Sequence, residues 1–318
     1  MKNKYDFLKA FAILLVVLGH VTNHYMDALP TKVITLTIYL FHMSLFMAIS
    51  GAVFKMGLDR GKYQNFVPFI TAKVSRLIVP FCATSIFVLA PTLSFCKMTE
   101  VGYWQTVTDI LVRGGKHLWF VQALFWIFLV VWVSVRVKFN KYGLLAVAFA
   151  LQFFIALVVL PSGVEVNKYF SIGLAISKLP MFVLGMILVG VKYSKKGTGA
   201  WIVGCMLFGG VQVISHSPRI DSVVSPLFSA TIVGLIVSLS DYAYKWFKDS
   251  CILAFLVKNS FGIYLFHMTP IYFIRYWGCD AWPLWVSVPA TFVFSLIVSV
   301  VLIMLVRGCR LGVLIGEK

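Results

Sequence analysis

The sequence predicts an all-α, polytopic integral membrane protein, and three observations carry that prediction. Of its 318 residues, 60% are hydrophobic and only 12% are charged, with a mean hydropathy of +0.93. Soluble domains carry about 45–50% apolar and about 25% charged residues, so a water-soluble enzyme, a disordered chain and a fibrous protein are all excluded. Apolar runs recur along the whole length, and at about 20 residues per span plus a loop they fit about ten crossings. The net charge of +17 comes from Lys and Arg lying between those runs. A nucleic-acid-binding patch would gather them with exposed aromatics, so membrane topology is the better account and no nucleic acid is expected.

In order, the spans are expected near 7–25, 33–54, 75–95, 118–137, 142–160, 170–190, 200–215, 223–240, 252–274 and 283–306. The seventh is the weakest, being short and carrying Gly204, Gly209 and Gly210. The polar connections 55–74 and 96–117 are the longest, and a single membrane-embedded domain over 1–318 is expected. Orientation follows from the Lys/Arg bias. With a cytoplasmic N-terminus, that side receives Lys2, Lys55, Arg60, Lys62, Arg136, Lys138, Lys141, Lys192, Lys195, Lys196, Lys245, Lys248, Lys258 and Lys318, among others. The opposite side receives Lys32, Lys97, Arg113, Lys116, Lys168, Arg219 and Arg275. Ten spans then place both termini inside. The first run carries Lys9 and ends in Gly19, His20, Asn23 and His24 without a small-residue cleavage site, which predicts an uncleaved first span. Cys82, Cys96, Cys205, Cys251, Cys279 and Cys309 show no CxxC spacing and read as small apolar fillers. No internal repeat is visible, which removes the usual sign of an inverted-repeat transporter.

Ionisable residues inside spans are costly and mark functional sites. Lys9 and His20 are eleven residues apart, about 1100° of helix rotation, so they share one face with His20 about 16 Å deeper. Asp6 precedes Lys9 by one turn and His24 follows His20 by one turn. That stripe runs from a charged mouth to an imidazole deep in the bilayer; its bland alternative is a snorkelling lysine and a hydrogen-bonded core histidine. His42 and His267 fall at intermediate depth in the second and ninth spans. Three imidazoles could hold zinc, but three helices would have to converge and no carboxylate is at hand, so hydrogen-bonding or substrate-contacting roles are expected and a metal is not. Lys73 and Arg76, three apart at the end of the third span, fit either topology alone or a phosphate clamp. Lys178 in the sixth span either snorkels or faces a polar cavity. Trp119 and Phe120 read as interfacial anchors.

Tyr5 to Lys9 running into Leu14 to His20 resembles the opening helix of the acyltransferase-3 family of membrane acyltransferases, where a basic residue, ten residues and a histidine recur. Phe41–His42–Met43–Ser44–Leu45–Phe46 with Ile49–Ser50–Gly51 is similar to the family's second-helix pattern. Lys73, Arg76 and Leu77 to Pro80 occupy its Arg-x-x-Arg position, His117–Leu118–Trp119–Phe120 its mid-chain motif, and Gly262 to His267 its late motif. The sequence departs from the pattern where Lys9 and Lys73 replace arginine, which keeps the charge and loses the bidentate fork, and where Ser44 replaces proline. An appended soluble esterase-like domain is not expected, and the second-helix motif resembles the fucose 4-O-acetylase branch.

The resemblance implies an O-acyltransferase of a bacterial cytoplasmic (inner) membrane that moves an acyl group, acetyl first among the choices, from cytoplasmic acyl-CoA to a hydroxyl of a cell-surface or lipid-linked glycan. It implies His20 as the catalytic base or acyl carrier, and Lys9, Lys73 and Arg76 as binders of the coenzyme A phosphates. His42, His117, Arg113, Lys178, His267 and Arg275 are the expected substrate contacts. A glycan or lipid-intermediate transporter is the competing class; the scarcity of membrane-embedded carboxylates for ion coupling argues against it.

Overall fold

A computed structural model describes residues 3–165, 169–189, 194–215, 217–278 and 282–317. Lys2, Lys168, Lys192, Lys318 and Cys279 lie outside the described residues. Twelve helices account for the described fold, and no strand occurs among these residues. They are α1 (Lys4–His24), α2 (Leu29–Asp59), α3 (Phe66–Phe95), α4 (Tyr103–Arg113), α5 (Trp119–Arg136), α6 (Lys141–Ser162), α7 (Ile172–Leu188), α8 (Lys195–Ile214), α9 (Pro218–Phe247), α10 (Cys251–Phe266), α11 (Met268–Trp277) and α12 (Leu284–Gly308). Eight of these are long and apolar enough to cross a membrane, and α10 with α11, bent by 48° at the break between them, makes a ninth if the pair is counted as one span. The shorter apolar helix α7, at 17 residues, occupies the place of the expected sixth span. The chain is an all-α polytopic membrane protein.

The central helices bury their small and branched residues against each other. α1 packs against α2, α10, α9 and α12, and α2 packs along α7. At the α2–α7 crossing, a Cβ on Gly51 would collide with the backbone carbonyl of Phe182, and one on Gly185 with that of Ala48. The two glycines therefore set how closely these helices approach, as small residues do where lipid supplies no hydrophobic drive between helices. Hydroxyls tie the same core: Thr35 Oγ1 donates to Thr22 Oγ1 at 2.8 Å and the Tyr25 hydroxyl meets Thr291 Oγ1 at 2.9 Å. At the periphery α8 buries no residue, and Met206, Leu207, Val213 and Ile214 face outward. A helix apolar on all sides and exposed in this way is a lipid-facing span.

Three findings differ from the sequence-based expectation. α3 begins at Phe66 rather than near residue 75, so Lys73 and Arg76 lie two turns inside it. It is widened by π-helical turns at Val74–Ile78 and Ser85–Leu89, each followed two residues later by a proline, Pro80 and Pro91. Proline lacks the amide that would bond four residues back, and the wider turn relieves the clash. The connection expected over 96–117 contains α4, which buries Thr106, Val107 and Ile110 on one face and ends at Gly114 in the left-handed conformation. The ninth span is bent by 48° at His267. Pro270 removes the hydrogen bond to the Phe266 carbonyl, which places the break there. Ser295 Oγ on α12 donates to the His267 carbonyl at 2.8 Å and satisfies it within the core.

Candidate active site

The bend in α10–α11 turns His267 into the centre of the bundle, where it is fully buried. His20 from α1 and His117 from the turn before α5 meet it there. Ring centroids are 5.1 Å apart for His20 and His267, 5.0 Å for His117 and His267, and 6.4 Å for His20 and His117. His267 Nδ1 donates to the carbonyls of Tyr264 (2.8 Å) and Ile263 (3.1 Å), so its lone pair sits on Nε2. His117 Nε2 donates to the Leu265 carbonyl at 3.3 Å, which leaves the lone pair on Nδ1. Both lone pairs are buried without a partner among the described residues. Two basic nitrogens that no protein group satisfies are a place where a substrate hydroxyl or amide can donate.

His20 Nδ1 is 3.2 Å from the Tyr39 hydroxyl. When Nδ1–H donates to that oxygen, Nε2 is left basic, the state a general base requires. Tyr39 also packs on His42 at 4.9 Å between rings, and His42 Nδ1 donates to the Ile38 carbonyl at 2.8 Å. His42 thus stands beside Tyr39 rather than in the three-ring cluster. Among the described residues no group of three or more His, Cys, Asp or Glu side chains has the geometry to hold a metal ion.

A cavity of about 320 Å³ lies beside this cluster and is lined by Lys9, Lys73, Arg76 and Lys258. Its apolar wall includes Phe46, Phe120, Phe128 and Tyr264. Tyr264 separates it from the histidines: its ring is 5.8 Å from His117 and 6.1 Å from His267, and its hydroxyl donates to the His117 carbonyl. Lys9 and His20, on one unbroken helix, therefore stand at the basic cavity and the imidazole cluster respectively. Lys73 is buried, with its ammonium 3.3 Å from the centre of the Phe128 ring and 4.8 Å from that of Tyr63. The aromatic faces hold this cation in the membrane without a carboxylate. Arg76 is exposed at the same cavity, as is Lys258. The C-terminal turn Gly312–Ile315 packs nearby and brings Glu317 to the lining. Arg307 Nε donates to Glu317 Oε2 at 2.9 Å, and this hydrogen bond holds the carboxyl below the usual carboxylate range. Glu317 is paired to Arg307 and lies close enough to Lys258 to feel its charge, while Arg76 enters no ion pair among the described residues.

The remaining sequence candidates are distributed differently. His117, expected as a substrate contact, is in the buried cluster. Lys178 lines a second cavity together with Tyr39. Arg113 is exposed on α4 and pairs with Asp109 at 3.6 Å, and Arg275 is exposed on α11; neither lines either cavity. Phe120, expected at an interface, is buried against Tyr264 and Phe46 because α5 enters the core at that point. Sequence reasoning missed Tyr39, which carries no charge to draw notice. Its signal was its place three residues before His42, on the same helix face. Lys258 read as topology because its span is otherwise ordinary.

No solved structure matches the chain. Over 159 residues it is 29% identical to the nodulation protein NolL of Mesorhizobium japonicum, a match covering 46% of this chain and 40% of that protein. The chain thus spans about two-fifths of that relative's length. The family model described as an acyltransferase domain matches residues 2–304, nearly the whole chain, including the three histidines of the cluster and the cavity's Lys9, Lys73, Arg76 and Lys258. The chain belongs to the acyltransferase-3 family of membrane acyltransferases.

Proposed function

We propose that the protein transfers an acyl group, acetyl first among the choices, from acyl-CoA to a hydroxyl of a cell-surface or lipid-linked glycan in a bacterial cytoplasmic membrane. The observation that carries this reading is one basic cavity, bearing Lys9, Lys73 and Arg76, that ends on the wall of a three-histidine cluster containing His20. Both termini are on the cytoplasmic side in this reading, which puts the basic mouth where the donor is. Arg76 and Lys258 face the phosphates of coenzyme A, since guanidinium and ammonium donors suit phosphate oxygens. The aromatic throat suits the apolar pantetheine arm, which carries the thioester toward the imidazoles. The acceptor oxygen attacks the acyl carbonyl carbon while its proton passes to His20 Nε2. The carbon–sulfur bond then breaks, and the departing thiolate takes that proton from the imidazolium. Acyl transfer to oxygen and regeneration of neutral His20 close the cycle.

The test is CoA release by the purified protein in nanodiscs with acetyl-CoA and a membrane glycan extract. Arg76→Ala should raise the donor KM by about tenfold, the size of one lost charge-assisted phosphate contact. Its kcat should change far less, because Arg76 is remote from the reacting atoms. Lys73→Ala should also weaken donor use, and Lys73→Met separates lost charge from lost packing in the aromatic cage. No acetyl-CoA binding by the wild type would overturn the reading in favour of a transporter.

A further inference from the structure

A second cavity, of about 310 Å³, lies between α2, α6, α7 and α9. Its lining is unusual for a membrane interior: Tyr39, Gln152, Ser177, Lys178, Ser225 and Ser229 all face it. Polar groups at membrane depth are retained where they have something to bind. Two of them lack partners among the described residues. Gln152 Oε1 and Ser229 Oγ are buried without a hydrogen bond, their residues being 9% and 4% exposed. Lys178 enters no ion pair among the described residues. Ser225 is already engaged, donating to Gln212 Oε1 at 2.8 Å.

This inventory has a definite chemical complement. An orphan amide oxygen and an orphan hydroxyl call for a ligand rich in hydroxyls, and an unpaired ammonium calls for an anion. The position is as informative as the composition. Tyr39 lines this cavity and hydrogen-bonds His20, whereas Tyr264 lines the basic cavity and packs on His117 and His267. The histidine cluster therefore lies between two separate cavities, each meeting it through one tyrosine.

Resting on the acyl-transfer reading above, we propose that this second cavity receives the acceptor, and that the acceptor is an anionic saccharide. Its carboxylate or phosphate pairs with Lys178, its hydroxyls meet Gln152 and Ser229, and the reacting hydroxyl lies at Tyr39 within reach of His20. Donor and acceptor then enter from different sides of the imidazoles, and neither must leave for the other to bind.

The test is equilibrium binding, so that it stands apart from turnover. The wild type in phosphatidylcholine nanodiscs is titrated calorimetrically with octyl β-D-glucuronide and with octyl β-D-glucoside, which differ by one carboxylate. The glucuronide should bind about tenfold tighter, the worth of a charge-assisted hydrogen bond in a partly buried site. Lys178→Met should abolish the preference, and Lys178→Arg should restore most of it, a rescue that a misfolded variant would not show. Gln152→Leu should weaken both glycosides alike. Equal binding of the two by the wild type, or a preference that survives in Lys178→Met, would overturn the proposal. So would loss of the glucuronide preference in phosphatidylglycerol nanodiscs, which would assign the cavity to a lipid headgroup. Acetyl-CoA binding, measured in parallel, fails only if the acyl-transfer reading is wrong and leaves the glycoside comparison readable.

Discussion

Replacing His20 by alanine is expected to lower acyl transfer by about 10²–10⁴-fold, the contribution of a positioned general base. The protein should still insert and still bind donor, because the basic residues of the cavity stand on the other side of Tyr264 from the imidazole. His20 is half-buried, and its ring is replaced by a small apolar group inside a cluster that keeps His117 and His267. The measurement is single-turnover acyl transfer beside acetyl-CoA binding for the same preparation. Retained transfer would remove His20 from the reaction. Asparagine at the same position separates two roles: it keeps a polar contact to Tyr39 and cannot take up the proton, so it too should be inactive. His267→Ala provides the comparison within the cluster. Its Nε2 lone pair is buried and unpartnered, so a second large loss there would place the proton-accepting function on the pair of rings rather than on His20 alone.

The largest stability effect is expected at Gly51 and Gly185. A methyl group at either position meets the facing helix's backbone, the carbonyl of Phe182 or of Ala48, and backbone cannot rotate away as a side chain can. α2 and α7 would have to separate, and α2 also holds Tyr39 and His42. Overpacking of this kind costs about 1–3 kcal/mol or more. The melting temperature of Gly51→Ala or Gly185→Ala in detergent should fall by several degrees, at about 2–4 °C per kcal/mol in chains of 150–250 residues and less in longer ones. Gly210→Ala is the control, since a Cβ there meets open space and alanine favours the helix. An unchanged melting temperature at Gly51 would mean that the crossing is looser than its geometry shows.

The site was legible in the sequence to unequal degrees. Lys9 and His20 could be related from spacing alone, because they share one straight helix and an α-helix fixes both rotation and rise. Lys73 and Arg76 could be paired by separation, although the π-helical turn between them could not be anticipated from spacing. His267 and His117 were visible as costly residues without any indication that they touch. Their meeting depends on the bend at Pro270 and on a turn that lets α5 enter the core, and both are consequences of packing between segments far apart in sequence. The same holds for Arg113 and Arg275, whose charge drew attention but whose helices carry them away from both cavities.

Composition and hydropathy were enough to determine the class, because the membrane imposes one rule on every span: backbone groups must be satisfied within the segment; of the ten spans expected, eight helices are long enough among the described residues, or nine counting the bent pair. The opening helix and the scattered motifs were enough to determine the family. Only the tertiary structure decided that three histidines from distant segments form one cluster, that the basic residues share a cavity meeting it through Tyr264, and that a second, hydroxyl-lined cavity meets it through Tyr39. Those features depend on which helix faces adjoin, and the closeness of helices is set by pairwise fits such as Gly51 against Phe182, which no single segment encodes.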